Sequence, residues 1–120
     1  MTAYYHLKSM PAAQCHVRFT ADEHGAPMCI ELYSYNTCIL VVSRCLGDAW
    51  ACYPVFNPAY SRTTARHVNR FTTELYGVNM YYECKAVYNA EQDCLPSLLS
   101  SREVHDFWNY YAQHGKKFSY

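Results

Sequence analysis

The sequence predicts an α+β fold, in which an antiparallel β-sheet, a meander of about four to five strands, carries two main α-helices on one face. Apolar and polar residues alternate over Gln14–Thr20, and a β-branched apolar run covers Cys38–Ser43. Apolar positions then recur with a helical period after Ser61. A length of 120 residues fits a single domain spanning the whole chain.

The sheet is predicted to use mainly the first half of the chain. Two further strands are expected at Met28–Tyr33 and Ala49–Val55, because turn-forming Gly, Pro, Asn and Asp residues separate these apolar segments. A fifth strand is predicted over Val78–Tyr88, whose Tyr- and Val-rich composition favours extended structure.

Two helices are predicted in the second half. The first runs over Arg62–Tyr76, with Ser61 as its N-cap and Gly77 as the glycine that ends it. The second runs from the Ser100–Glu103 capping box to about Gln113.

The first helix has a clear division of faces. At 100° per residue its apolar side chains share a sector of about 60° that should face the sheet: Val68, Phe71 and Leu75. Three arginines fall nearly opposite, with His67 beside them: Arg62, Arg66 and Arg70. A solvated helix face explains such a row equally well, but guanidinium groups are also the donors that proteins use against phosphates and carboxylates.

The balance of charge narrows the classes of function. Ten Lys and Arg residues match ten Asp and Glu residues, which argues against an acidic DNA mimic and against a strongly basic DNA-coating protein. Nucleophile-elbow, zinc-protease and phosphate-binding-loop motifs do not occur in the sequence, so we expect no enzymatic activity. The N-terminus lacks signal-peptide features and the longest apolar run is Cys38–Val42, so a cytoplasmic protein without a membrane span is expected.

Seven cysteines are many for a cytoplasmic protein. The favoured interpretation is free thiols that act as small buried apolar groups. The alternatives are a functional disulfide and a structural zinc ion, for which the best candidate ligands are Cys84, Cys94 and His105. Thirteen tyrosines, several in doublets such as those containing Tyr81 and Tyr110, favour an interface with a protein partner or with a second copy of the chain.

Two segments resemble an uncharacterised domain of small phage and mobile-element proteins. Residues 34–42 read Ser-Tyr-Asn-Thr-Cys-Ile-Leu-Val-Val, and residues 60–71 read Tyr-Ser-Arg-Thr-Thr-Ala-Arg-His-Val-Asn-Arg-Phe. These match the domain's S-Y-x-T-x-I strand and its S-x-T-T-x-x-H-[VI]-x-x-F helix start, and the resemblance covers about Glu31–Gly77. It implies structural roles for Thr63, Thr64 and His67, with the threonines capping the first turn and the histidine bonding a neighbouring loop.

The functional class that such proteins resemble is the anti-CRISPR proteins, which are stoichiometric inhibitors of RNA-guided nucleases. The resemblance implies contact with a host defence protein, namely a type II RNA-guided nuclease, that blocks target DNA loading or activation. The expected partner-binding residues are Arg62, Arg66, Arg70, His67, Tyr81 and Tyr110. The alternatives are a small nucleic-acid-binding accessory protein that uses the same helix face, and a self-assembling structural phage protein.

Overall fold

The strands follow one another across the sheet in chain order. The structure is a computed structural model, and it describes residues 1–11, 14–56 and 62–118. Within these residues, six strands pair antiparallel in the order β1 to β6. Their bounds are β1 Thr2–His6, β2 Cys15–Ala21, β3 Pro27–Ser34, β4 Thr37–Arg44, β5 Ala49–Pro54 and β6 Leu99–Ser100.

Three helices in the described part of the chain complete the fold. They are α1 Arg62–Tyr76, α2 Tyr81–Asn89 and α3 Ser101–His114. Their buried side chains join one apolar cluster with one face of the sheet, as Phe71 of α1 and Phe107 of α3 do with Phe19 of β2. The predicted α+β class is therefore confirmed.

The sheet has slightly more strands than predicted. The four strands expected in the first half are present as β2 to β5, with bounds within one or two residues of those predicted. β1 and the two-residue β6 were not predicted, since Thr2–His6 does not alternate between apolar and polar residues. The outer edge of β1 is in turn bonded by the C-terminal tail, where the His6 N–H donates to the Lys116 carbonyl at 2.8 Å.

The predicted strand over Val78–Tyr88 is wrong, because most of this segment is helix α2. A strand would have placed Met80, Tyr82 and Cys84 on one face, but Tyr82 is 79% exposed while Met80 and Cys84 are buried. The buried residues Met80, Cys84 and Val87 follow a helical spacing of four and three. The tyrosine-rich composition of this segment favours a strand, whereas the spacing of its buried residues is that of a helix.

Both predicted helices are confirmed. α1 has the expected bounds, and Gly77 follows it at a φ of +85°, the left-handed conformation that glycine adopts without strain. Ser61, its predicted N-cap, lies outside the described residues. At α3, Ser100 Oγ accepts from the Glu103 N–H at 3.1 Å, and Glu103 Oε1 accepts from the Ser100 N–H at 3.0 Å, which is the predicted capping box.

The capping box predicts a local stability effect. Replacing Ser100→Ala removes the acceptor for the Glu103 N–H and should lower the free energy of unfolding by about 0.5–2 kcal/mol. Urea denaturation measures this change. Ser97→Ala, at an exposed serine outside the box, is the control, and an equal loss in both variants would contradict the assignment.

The sheet face away from the helices carries a fully buried histidine. The His16 ring stacks between Tyr33, with centroids 4.9 Å apart, and Phe118 of the C-terminal tail, at 4.1 Å. Burial, helped by the nearby His6, lowers the pKa of His16 to about 4. The His67 pKa is also lowered, first by burial and second by the charge of Arg66.

The lowered pKa of His16 predicts that the fold is less stable in acid. Between about pH 6.5 and pH 4 the unfolded chain binds a proton at His16 that the folded chain does not, so the free energy of unfolding should fall as the pH is lowered, by on the order of 1–3 kcal/mol. Urea midpoints across this range measure the slope. His16→Phe keeps an aromatic ring without a titrating group and should reduce the slope; a slope unchanged in this variant would contradict the role given to His16.

Candidate functional site

The outer face of α1 presents a row of arginines. Arg62, Arg66 and Arg70 are exposed, while Val68, Phe71 and Leu75 on the other side are buried, as predicted. Within the described ranges, no salt bridge involves any of the three arginines. Arg18 on the sheet differs, because Glu31 neutralises it in an ion pair.

A groove of about 610 Å³ runs along this face of α1. Its lining includes Lys8 and Ser9 from the connection between β1 and β2, and Asn79 from the connection between α1 and α2. The remaining lining residues come from α1: Arg66, Asn69, Arg70, Thr73 and Glu74. Three cationic side chains and one carboxylate therefore share the groove.

That carboxylate is fully engaged in hydrogen bonds. Glu74 Oε2 accepts from the backbone N–H of Ser9 at 3.0 Å and from its hydroxyl at 2.5 Å. Glu74 Oε1 accepts from the Tyr111 hydroxyl at 2.5 Å. Because hydrogen bonds to a charged acceptor are strong, Glu74 is committed to holding Ser9 and Tyr111 in place. It is oriented towards these internal donors and does not form an ion pair with Arg66, Arg70 or Lys8.

The two amide side chains of the groove also use their acceptor atoms internally. Asn69 Oδ1 accepts from the Tyr81 N–H at 3.1 Å, which fixes the orientation of this amide. Asn79 Oδ1 accepts from the Thr73 hydroxyl at 2.6 Å. The NH₂ groups of both asparagines are left as donors at the groove. The groove therefore offers ammonium, guanidinium and amide N–H groups, a set that suits a carboxylate or another oxyanion.

Lys8 joins the groove to an exposed aromatic residue. Its ammonium lies 4.5 Å from the centroid of the Tyr110 ring, a cation–π contact, and Tyr110 is 39% exposed. Its backbone N–H donates to the Tyr111 hydroxyl at 2.9 Å. Lys8 is therefore held against α3 by contacts of both its backbone and its side chain.

Of the predicted partner-binding residues, His67 is not available at the surface. It is 2% exposed, and its Nδ1 lies 2.7 Å from Ser34 Oγ at the end of β3. The helical spacing predicts that His67 lies beside the arginine row, but in the structure its side chain is buried against the sheet. His67 is therefore engaged with the end of β3 and is not part of the exposed arginine row.

The two tyrosines singled out by sequence lie in different surroundings. Tyr110 is exposed beside Lys8, whereas Tyr81 is half-buried and stacks on Phe56 with centroids 5.7 Å apart. Its neighbour Tyr82 is the exposed member of that doublet, at 79%. Tyr110 thus contacts Lys8, a residue of the groove, whereas Tyr81 is mainly a packing residue.

The described residues do not form the predicted zinc site. Cys84 is fully buried in α2, Cys94 is half-buried, and His105 is exposed on α3. Within the described ranges, no group of three His, Cys, Asp or Glu side chains is arranged to hold a metal ion. Burial raises the pKa of the Cys84 thiol to about 12, so this side chain is protonated at neutral pH. The structure gives the zinc prediction no support.

The sequence alone does not identify the groove residues that lie outside α1, namely Lys8, Ser9 and Asn79. Ser9 and Glu74 are 65 positions apart in the chain, and no motif links the segment that carries Lys8 to α1. The sequence predicts that Asn69 and Thr73 lie on α1, but it does not predict their hydrogen bonds with Tyr81 and Asn79, which form only in the folded structure. No local signal could have identified these residues.

Comparison of the chain with models of known protein families, with curated protein sequences and with solved structures found no match. Among the described residues, no helix is long and apolar enough to cross a membrane.

The hydrogen bonds of Glu74 predict the effect of replacing it. Glu74→Gln keeps the shape but sets an NH₂ group against hydroxyl or N–H donors, so the free energy of unfolding should fall by about 1–3 kcal/mol. Urea denaturation measures the loss. Glu83→Gln, at an exposed glutamate of α2, should change stability by only a few tenths of a kcal/mol, and similar losses in both variants would contradict the role given to Glu74.

Proposed function

We propose that this protein is an inhibitor that acts by binding a partner protein, with the groove of α1 as the contact site. The unpaired cations of the groove carry this proposal. Lys8, Arg66 and Arg70 lie at one surface with no anionic partner among the described residues, and the one nearby carboxylate is bonded to other groups. Such a surface is complementary to an acidic patch on another molecule.

The partner proposed is a host defence nuclease guided by RNA, of type II. The resemblance of residues 34–42 and 60–71 to small phage and mobile-element proteins supports this choice, as does the small size of the chain. A formal net charge of zero disfavours inhibition by mimicry of DNA. The protein would instead occupy a protein lobe of the nuclease and block target DNA loading or activation.

A second candidate function is favoured by the same cations. Guanidinium and ammonium groups in a row also contact phosphates, so a nucleic-acid-binding accessory protein would use the same groove. The logarithm of its affinity would fall linearly with the logarithm of the salt concentration, with a slope proportional to the number of phosphates contacted. The three cations of the groove would give a shallow slope. The protein-binding function is preferred because Tyr110, an exposed tyrosine, contacts Lys8 of the groove.

The test is a pull-down combined with a cleavage assay. Tagged protein is co-expressed with a type II RNA-guided nuclease and its guide, and the purified protein is then added to a DNA cleavage reaction. We expect stoichiometric capture of the nuclease and loss of cleavage. The double variant Arg66→Glu/Arg70→Glu should reduce capture by roughly tenfold or more, because it replaces attraction by repulsion at the contact.

Arg102→Glu is the matched control, since Arg102 is an exposed arginine at the start of α3 and does not line the groove. It should capture the nuclease as well as the natural sequence does. Capture that survives the double charge reversal would exclude the groove as the contact. Failure of the natural sequence to capture the nuclease, with nucleic acid recovered instead, would favour the accessory-protein function.

A further inference from the structure

We infer that the α1 groove binds an acidic peptide segment carrying two carboxylates about 6 Å apart, such as Asp or Glu at positions i and i+4 of a helix. This inference rests on the proposed function in one respect, namely that the partner is a protein. It adds the chemical class of the contact, its spacing, and Lys8, Asn69 and Asn79 as binding residues.

The spacing of the cations sets the spacing of the ligand. Arg66 and Arg70 are one helical turn apart on α1, which corresponds to a rise of about 6 Å. A ligand helix with acidic residues at i and i+4 has the same rise between its carboxylates. Each guanidinium can then bind one carboxylate in a bidentate pair, the geometry in which arginine binds most strongly.

The remaining lining of the groove disfavours a ligand that is cationic or rich in hydrogen-bond donors. Both oxygens of Glu74 and the side-chain oxygens of Asn69 and Asn79 already accept hydrogen bonds from the protein. A ligand that enters the groove therefore meets mainly N–H donors, from Lys8, from the two asparagines and from the arginines. Carboxylate oxygens are the peptide groups that can accept from all of these.

The surroundings of the groove favour a peptide over a phosphate backbone. Exposed apolar and tyrosine side chains adjoin two of the lining residues: Val78 (57% exposed) precedes Asn79 in the chain, and the Tyr110 ring contacts Lys8. Cations mixed with exposed apolar and tyrosine side chains are typical of protein interfaces. A groove that follows a nucleic-acid strand interleaves more cations with its aromatic residues.

Lys8 is a specificity-determining residue of the groove in addition to the two arginines. Its backbone N–H donates to the Tyr111 hydroxyl, and its neighbour Ser9 is bonded to Glu74, so the main chain that carries this side chain is fixed before any ligand binds. The contact with the Tyr110 ring further limits its rotamers. A cation held in place in this way loses less conformational entropy on binding than a mobile lysine would.

The test uses fluorescence anisotropy with labelled, alanine-based helical peptides and needs no nuclease. One peptide carries Glu at i and i+4, a second carries Gln at both positions, and a third carries Glu at i and i+2. We expect the first peptide to bind roughly tenfold more tightly than the other two, because only it matches the charge and the spacing of the arginines. Lys8→Ala, Arg66→Ala and Arg70→Ala should each weaken its binding by roughly fivefold or more, and Arg102→Ala should not.

Three results would overturn the inference: equal binding of the Glu and Gln peptides, unchanged binding in the three groove variants, or tighter binding of a single-stranded oligonucleotide of similar length. The outcome is separable from that of the nuclease pull-down. Peptide binding through Lys8, Arg66 and Arg70 without nuclease capture would refute the choice of nuclease and leave the groove's ligand class standing. Nuclease capture through Arg66 and Arg70 without preference for the spaced Glu peptide would refute the ligand class alone.

Discussion

Glu74 is the point at which three parts of the fold are joined. One carboxylate bonds the start of the β1–β2 connection through Ser9 and the end of α3 through Tyr111, while Glu74 itself belongs to α1. The Tyr111 hydroxyl completes the set by accepting the N–H of Lys8. Because each of these bonds is specific in direction, they hold α1, α3 and the connection in one arrangement that nonspecific apolar packing could not select.

The same arrangement decides which charges of α1 are exposed. The sheet needs an apolar cover, and the stripe that contains Phe71 supplies it, so the opposite side of the helix must face water. The arginines on that side form no ion pair among the described residues, and Glu74, one turn after Arg70, is bonded to Ser9 and Tyr111. These bonds occupy both oxygens of the groove's carboxylate, and the groove is left with three cations against one negative charge and with an excess of donors.

Side chains of α1 cap the start of α2. The two N–H groups at its start, those of Met80 and Tyr81, donate to Thr72 Oγ1 at 3.1 Å and to Asn69 Oδ1 at 3.1 Å, and both acceptors lie on α1. α2 has no capping residue of its own, since no side-chain bond comes from Met80 at its N-cap. The groove amide of Asn69 is therefore also a tertiary cap, which ties the shape of the groove to the position of α2.

What the sequence alone determined is the local part of this protein: strands β2 to β5, the bounds of α1, the capping box of α3 and the exposed arginine row. Each depends on residues close together in the chain, whose alternation, helical period or capping chemistry is visible without a partner. Only the tertiary structure decided that residues 81–89 form a helix, that His67 is buried against Ser34, and that Lys8 lies beside α1. In each of these cases the deciding hydrogen bond or contact comes from a distant segment, so the competition between local preferences is settled only when the segments pack together.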